Sequence, residues 1–230
     1  MKVKLLITDV DGTLTNEDKT LSIHALEGIE LAKRAGLKVG LASALPHVIL
    51  KHLAIYLGVE PIIIGESGGV VEVYDKIVIL GDKDEAIKAL NHLRRVFNGM
   101  VKERWSNKCR LTDIALERTV PYSKICEAVK GFNVKIVDTK YAYHIISSGI
   151  DKGVGLKMAC SMLNIDPSEI AVVGDSDGDI EMFEVAGVKL APANATENIK
   201  KLASYTSRYG YGKGFKDCIE WLLGKIKSNV

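Results

Sequence analysis

The sequence predicts an α/β fold, a Rossmann-like parallel-sheet core interrupted by an inserted α+β cap. Three observations carry that expectation. Short β-branched runs alternate with helical patterns at both ends of the 230 residues. Between them the rhythm changes for about 70 residues, a size within the ordinary domain range. And two apolar runs, one in each flanking half, end in clusters of aspartate and glycine. The expected division assigns residues 1–81 and 151–230 to a discontinuous α/β core and 82–150 to the cap.

Residues 3–8 read as a first strand buried on both faces, because Leu5, Leu6 and Ile7 run together without alternation. Ser22 is placed to cap a helix that turns Ile23, Leu26 and Ile29 inward, and Gly36 stands where a left-handed glycine ends one. A strand over 37–42 follows. Pro46 then opens a helix over 47–57, closed by Gly58, and 61–64 is the third strand. This is the β-α-β-α-β order of a parallel sheet with helices on both faces. Residues 70–74 and 77–80 flank Asp75-Lys76 and read as a hairpin.

The cap pattern comes next. A helix over 84–97 places Ala86, Leu90, Leu93 and Phe97 on one stripe, either core or a dimer face, so a homodimer stays open. Strands are expected over 99–104 and 111–117, a helix over 121–130, and strands over 134–138 and 141–147. The first rhythm then resumes with a helix over 151–163, a strand over 169–174, a helix over 179–186, a strand over 188–190 and a helix over 196–203. An amphipathic helix over 215–226 closes the chain.

Composition narrows the partners. Hydrophobic residues are 47% and charged residues 26%, and 31 basic against 29 acidic residues leave a net charge of +2. No global field favours nucleic acid or an anionic membrane. The aromatic run 205–212 therefore reads as a structured loop, not a base-stacking platform. No apolar run approaches the roughly 20 residues that span a bilayer. The N-terminal strand passes into an acidic loop instead of a signal-type apolar segment, which points to a cytoplasmic protein. Cys109, Cys126, Cys160 and Cys218 lie far apart, as reduced thiols do.

The chemistry is concentrated at strand ends. Asp9-Val10-Asp11-Gly12-Thr13 follows the first strand, where ligands bind in parallel sheets. Two carboxylates two residues apart share a face on extended backbone and repel unless a cation or proton intervenes. A hard cation held by oxygens answers that repulsion, and Mg²⁺ suits a site that also takes phosphate. Gly174-Asp175-Ser176-Asp177-Gly178-Asp179 repeats the design after a second apolar strand. One such cluster alone would read as turn and capping chemistry; two at the ends of core strands read as one site. Ser43 at the end of 37–42 and Lys152 at the start of 151–163 can hold phosphoryl oxygens, although each alone would be a turn serine or a surface charge.

Together these four segments resemble the haloacid dehalogenase superfamily of phosphotransferases, in motif order and over nearly the whole chain. The cap between Ser43 and Lys152 resembles that of the Cof-like branch, and 191–195 is most similar to the archaeal phosphoglycolate phosphatases within it. The resemblance implies that Asp9 is the nucleophile and a magnesium ligand. It implies that Asp11 protonates the leaving alkoxide, then activates water, while its carbonyl binds the metal. Asp175 would be a third ligand and Asp179 a ligand or its support. Ser43 and Lys152 would hold the phosphoryl group, with Asn194 near the phosphate. The implied reaction is hydrolysis of a small phosphate monoester, 2-phosphoglycolate first. A sugar-phosphate phosphatase, a phosphomutase and a non-enzymatic phospho-receiver are the alternatives. Ala44 and Ser67 depart from the family pattern, which bears on the leaving group and not on phosphoryl chemistry.

Substrate choice should lie with the cap. Arg104, Trp105 and Arg110 could meet a carboxylate, against the plainer reading that the arginines are solvated and Trp105 packs into the cap. His144 alternates with apolar neighbours and reads as a satisfied, partly buried histidine.

Overall fold

The computed structural model describes residues 2–139 and 141–227; the expected domain ranges also take in Met1, Lys140 and residues 228–230, which lie outside the described residues. Chain order begins with β1 (Leu5–Thr8), α1 (Ile23–Arg34), β2 (Lys38–Ala42), α2 (His47–Leu57) and β3 (Ile62–Gly65). The hairpin β4 (Val70–Val73) and β5 (Lys76–Ile79) leads to α3 (Lys83–Val96), β6 (Ile114–Leu116), α4 (Tyr122–Ala128), β7 (Val134–Asp138) and β8 (Tyr143–Ser147). The chain then returns through α5 (Lys152–Leu163), β9 (Ile170–Val173), α6 (Ile180–Val185), β10 (Val188–Ala191), α7 (Glu197–Leu202), β11 (Tyr205–Thr206) and α8 (Tyr211–Lys227).

Eight strands form one sheet in the order β11-β10-β9-β1-β2-β3-β4-β5, parallel except for the β4–β5 hairpin at its edge. The expected α/β class is thus the observed one. β1 lies between β2 and β9, with Thr8 level with Leu41 on one side and Val173 on the other. Strand order reverses there, and the loops after β1, β2 and β9 emerge side by side, which is where parallel sheets bind ligands. Burial follows the period of two. Leu6, Val39, Leu41, Ala171 and Val173 pack with Ile29, Leu50, Phe215 and Ile219 on one face. Leu5, Ile7, Ile62, Ile170 and Val172 pack with Leu156, Phe183 and Ile199 on the other. Every residue of β1 is buried as a result, which explains the unalternated apolar run.

A second antiparallel sheet, β6-β8-β7, is covered by α3 and α4 and has its own apolar cluster. The stripe Ala86, Leu90 and Leu93 is buried there with Phe97 beside it, so it is core. Three strands replace the four expected. Residues 99–104 make only the bridge Glu103–Leu116, and 105–109 turn into a 3₁₀ segment. β6 starts at Ile114, not at 111, because the backbone N–H groups of Leu111 and Thr112 donate to the Glu66 carboxylate and cannot join a ladder. β11 was not expected, and α8 starts four residues early where Asn194 Oδ1 accepts from Tyr211 N at 2.6 Å. All four cysteines are free. No helix among the described residues is long and apolar enough to cross a membrane.

The turn after β3 joins the two layers. Glu66, Ser67 and Gly68 are left-handed in succession, with φ of 52°, 56° and 99°. Gly68 lies so close to the start of α5 that an added Cβ would fall 1.9 Å from Asp151 O. Gly68→Ala is therefore expected to cost about 2–4 kcal/mol of unfolding free energy, from left-handed strain plus overpacking. Gly36→Ala, also left-handed but with nothing within 4 Å, should cost only about 1–2 kcal/mol. Denaturant titration of both variants checks this, and equal losses would show that the close approach at Gly68 is relieved without cost.

Candidate active site

Asp9 continues β1, with its N–H donating to Val173 O at 2.9 Å, so its side chain emerges at the crossover of the sheet. The chain then turns at Gly12, whose φ of 87° suits glycine. An added Cβ there would lie 2.5 Å from an Asp175 oxygen, so the glycine also lets the first and fourth loops touch. Thr13 Oγ1 donates to Asp175 Oδ1 at 3.2 Å, a contact not anticipated although Thr13 belongs to the first motif.

The fourth loop is organised around Asp179, which is fully buried. Its Oδ2 accepts from Asp175 N at 3.1 Å, Ser176 N at 3.0 Å and Ser176 Oγ at 3.2 Å, while its Oδ1 accepts from Lys152. Asp179 thereby shapes the loop that presents Asp175.

Lys152 starts α5 just after its N-cap Asp151, whose side chain accepts from Val154 N. Far from being a surface charge, it is buried, with Nζ 2.5 Å from Asp9 Oδ1 and 2.6 Å from Asp179 Oδ1. Burial pulls its pKa down most strongly, but Asp179 and Asp9 together hold it well above the ordinary lysine range. Asp9 moves the other way. Burial, reinforced by Asp179 and Asp175 and opposed by Lys152, raises its carboxyl well above the usual value. The Asp11 carboxyl is also raised, chiefly by burial and against the pull of Lys152 and Lys19.

Asp9, Asp175 and Asp179 each offer an oxygen within 4.8 Å of the others. One ammonium faces these carboxylates, so negative charge is in excess when all are ionised. An all-oxygen set with excess negative charge fits a hard divalent cation such as Mg²⁺.

The site opens into a cleft of about 580 Å³ between the two layers, lined by Asp9, Asp11, Ser43, Lys152 and Asp175 on one side and Arg104, Trp105, Arg110 and His144 on the other. That volume suits a small molecule. Ser43 Oγ accepts from Leu45 N at 3.1 Å, which leaves its hydroxyl hydrogen to donate into the cleft. Asn194 is placed elsewhere: its Nδ2 donates to Gly12 O at 2.9 Å and its Oδ1 accepts from Tyr211 N, so it braces the first loop from behind. Two readings of the smaller layer are corrected. Trp105 is 69% exposed at the cleft rim, and Arg110 is buried. Arg110 Nη1 donates to both Asp113 oxygens at 2.7 and 2.8 Å, and His144 Nδ1 lies 2.8 Å from Asp113 Oδ2. Burial raises the Asp113 carboxyl, but His144 and Arg110 more than offset it and hold it below the ordinary value. No spacing rule could have found Asp113, whose histidine partner lies 31 residues away on β8.

Residues 6–101 and 121–217 match the family model described as haloacid dehalogenase-like hydrolase. A Methanospirillum hungatei protein named phosphoglycolate phosphatase is 37% identical over 225 residues, covering 96% of this chain and 97% of its own. A Methanopyrus kandleri protein of the same name is 33% identical over 229 residues, covering 96% and 98%. The crystal structure of a Thermoplasma acidophilum protein superposes with a TM-score of 0.89 at 27% identity, covering 96% of this chain and 98% of that one.

The crowded carboxylates carry a stability consequence. Because the folded pKa of Asp9 is raised above its unfolded value of about 3.9, the folded chain binds that proton more readily. The penalty is absent below about pH 4 and grows as pH rises through the folded value. In the presence of chelator, Asp9→Asn is expected to raise Tm at pH 8 by about 3 °C, the effect of about 1 kcal/mol in a chain of this size, and to change it little at pH 4. Thermal melts at the two pH values decide the matter, and a variant less stable at pH 8 would contradict it.

Proposed function

We propose that this chain, which belongs to the haloacid dehalogenase-like hydrolases, hydrolyses a small phosphate monoester through a phosphoryl group carried on Asp9, with 2-phosphoglycolate as its substrate. One observation carries the reading: a buried aspartate at the sheet crossover, held by a buried lysine at 2.5 Å and backed by two further carboxylates. The substrate is taken from the names of the relatives, at up to 37% identity over nearly the full length of both chains.

Phosphate monoesters hydrolyse extremely slowly unaided, and splitting the reaction into two displacements by a carboxylate nucleophile lowers each barrier. In the first step Asp9 attacks phosphorus and the bond from phosphorus to the ester oxygen breaks. The Asp11 carboxyl gives its proton to the departing alkoxide, a role that its burial-raised pKa supports. In the second step the Asp11 carboxylate takes a proton from water as that water attacks phosphorus, which releases inorganic phosphate and restores Asp9. Lys152 and the Ser43 hydroxyl hold phosphoryl oxygens, and Lys152 also keeps Asp9 aimed. Asp9, Asp175 and the Asp11 carbonyl would hold Mg²⁺, with Asp179 a ligand or the residue that sets the Asp175 loop. When bound, the ion supplies charge neutralisation between an anionic nucleophile and an anionic substrate.

Phosphate release from 2-phosphoglycolate and a panel of phosphate esters, with Mg²⁺ and with chelator, tests the reading. Metal-dependent release led by phosphoglycolate is expected, and release led by a sugar phosphate would discard the substrate while keeping the chemistry. Asp9→Asn should abolish turnover. Asp11→Asn should slow both steps. In kcat/KM, which reports the first, the loss should be about 10²–10⁴ for an alkyl ester and much less for p-nitrophenyl phosphate, since nitrophenolate leaves without a proton. Equal losses on the two esters would count against the acid role.

A further inference from the structure

Resting on the reading of this cleft as a phosphatase site, we propose that Arg110 determines substrate choice by binding a carboxylate one carbon away from the phosphate ester oxygen. The substrate class it defines is the phosphate esters of short α-hydroxy acids.

The guanidinium is only half used. Nη1 makes all of its side-chain hydrogen bonds, to Asp113 and to Ala44 O at 3.0 Å. Nε is buried with no hydrogen-bond partner, the one such side-chain atom among the described residues. A buried donor left unpaired costs about 1–3 kcal/mol, and more when charged. Nε and Nη2 together form the edge of arginine that takes a carboxylate through two parallel hydrogen bonds. Arg110 lines the cleft, so an acceptor arriving there with the substrate would satisfy this edge.

Its position sets the length of the substrate. Ala44, which holds Nη1 through its carbonyl, is the neighbour of Ser43, so the guanidinium stands next to the serine proposed to bind phosphate. In a phosphorylated α-hydroxy acid, phosphorus and the carboxyl carbon are three bonds apart, of order 4 Å by ordinary bond lengths. A sugar phosphate places a neutral hydroxyl or carbon there and leaves the donor edge unpaired, a mismatch that discriminates strongly.

The surroundings hold Arg110 in place from both layers. Asp113 accepts from its Nη1 and is itself held by His144. Glu66, fully buried in the turn after β3, accepts from Leu111 N at 2.9 Å, Thr112 N at 2.7 Å and Thr112 Oγ1 at 2.9 Å. Thr112 fits against Gly69 and Gly81, where an added Cβ would lie 2.2 and 2.7 Å from its side chain. The segment carrying Arg110 is thus fastened to the turn that borders the phosphate pocket, and such preorganisation is what selective binding requires.

The test compares kcat/KM for 2-phosphoglycolate and for 2-hydroxyethyl phosphate, its analogue without the carboxylate, in the wild type, Arg110→Gln and Arg110→Lys. The ratio of the two is expected to fall on the order of a hundredfold in Arg110→Gln, mostly through KM for phosphoglycolate. Arg110→Lys keeps the charge opposite Asp113 but loses the two-pronged edge, so it should recover only part of the ratio. It also serves if the glutamine variant does not fold. A wild-type preference that survives in a folded variant, or equal losses on both esters, would overturn the role of Arg110 alone. A wild type that hydrolyses both esters equally would overturn this role and the phosphoglycolate assignment together.

Discussion

A single buried ammonium organises this molecule. Lys152 Nζ reaches Asp9 Oδ1 and Asp179 Oδ1 at once and so ties together the ends of β1 and β9 and the start of α5. Each partner lies on a different crossover of the sheet, and none could be buried alone. Removing the lysine would leave Asp9 and Asp179 as uncompensated buried charges, at a cost of about 3–5 kcal/mol, whereas neutralising Asp9 leaves Lys152 still paired with Asp179. The three elements are therefore held in one mutual arrangement by electrostatics as well as by packing. Gly68 and Gly155 serve the same end by letting α5 approach the turn after β3.

The arrangement is not optimal for stability. Asp9, Asp175 and Asp179 crowd together against one cation, and burial adds to their mutual repulsion in raising the Asp9 carboxyl. The sheet tolerates this because both of its faces are covered by apolar side chains, each worth about 1.5–3 kcal/mol when fully buried. Excess negative charge at such a point suits a divalent cation.

The smaller layer meets this centre through another buried carboxylate, Glu66, which receives backbone N–H groups instead of a cation. Hydrogen bonds of that kind stabilise a carboxylate without a counter-charge. The same contact shortens β6 and fastens the segment whose Arg110 lines the cleft. A local competition for backbone donors thus helps decide which side chains reach the cleft.

Much of this was legible from residue order alone. The unalternated strand 5–8, the glycine-closed helices and the Asp–Gly clusters at two strand ends follow from local patterns of burial and turn chemistry and point to the α/β class. Of the four carboxylates they single out, Asp9, Asp175 and Asp179 stand together and Asp11 lines the cleft. Lys152 and Ser43 stand out only beside those carboxylates, because a lone lysine or serine has no periodic signature. Contacts between distant segments decided the rest. Arg110, on the plainer reading a solvated residue, is buried and bonded to Asp113 and Ala44, while Asn194, expected near the phosphate, bonds to Gly12 and Tyr211. The strand expected over 99–104 dissolved because it found only one bridge. Sequence patterns record what a residue prefers among its neighbours; which donor meets which acceptor across 60 or 180 residues is settled only when the chain closes on itself.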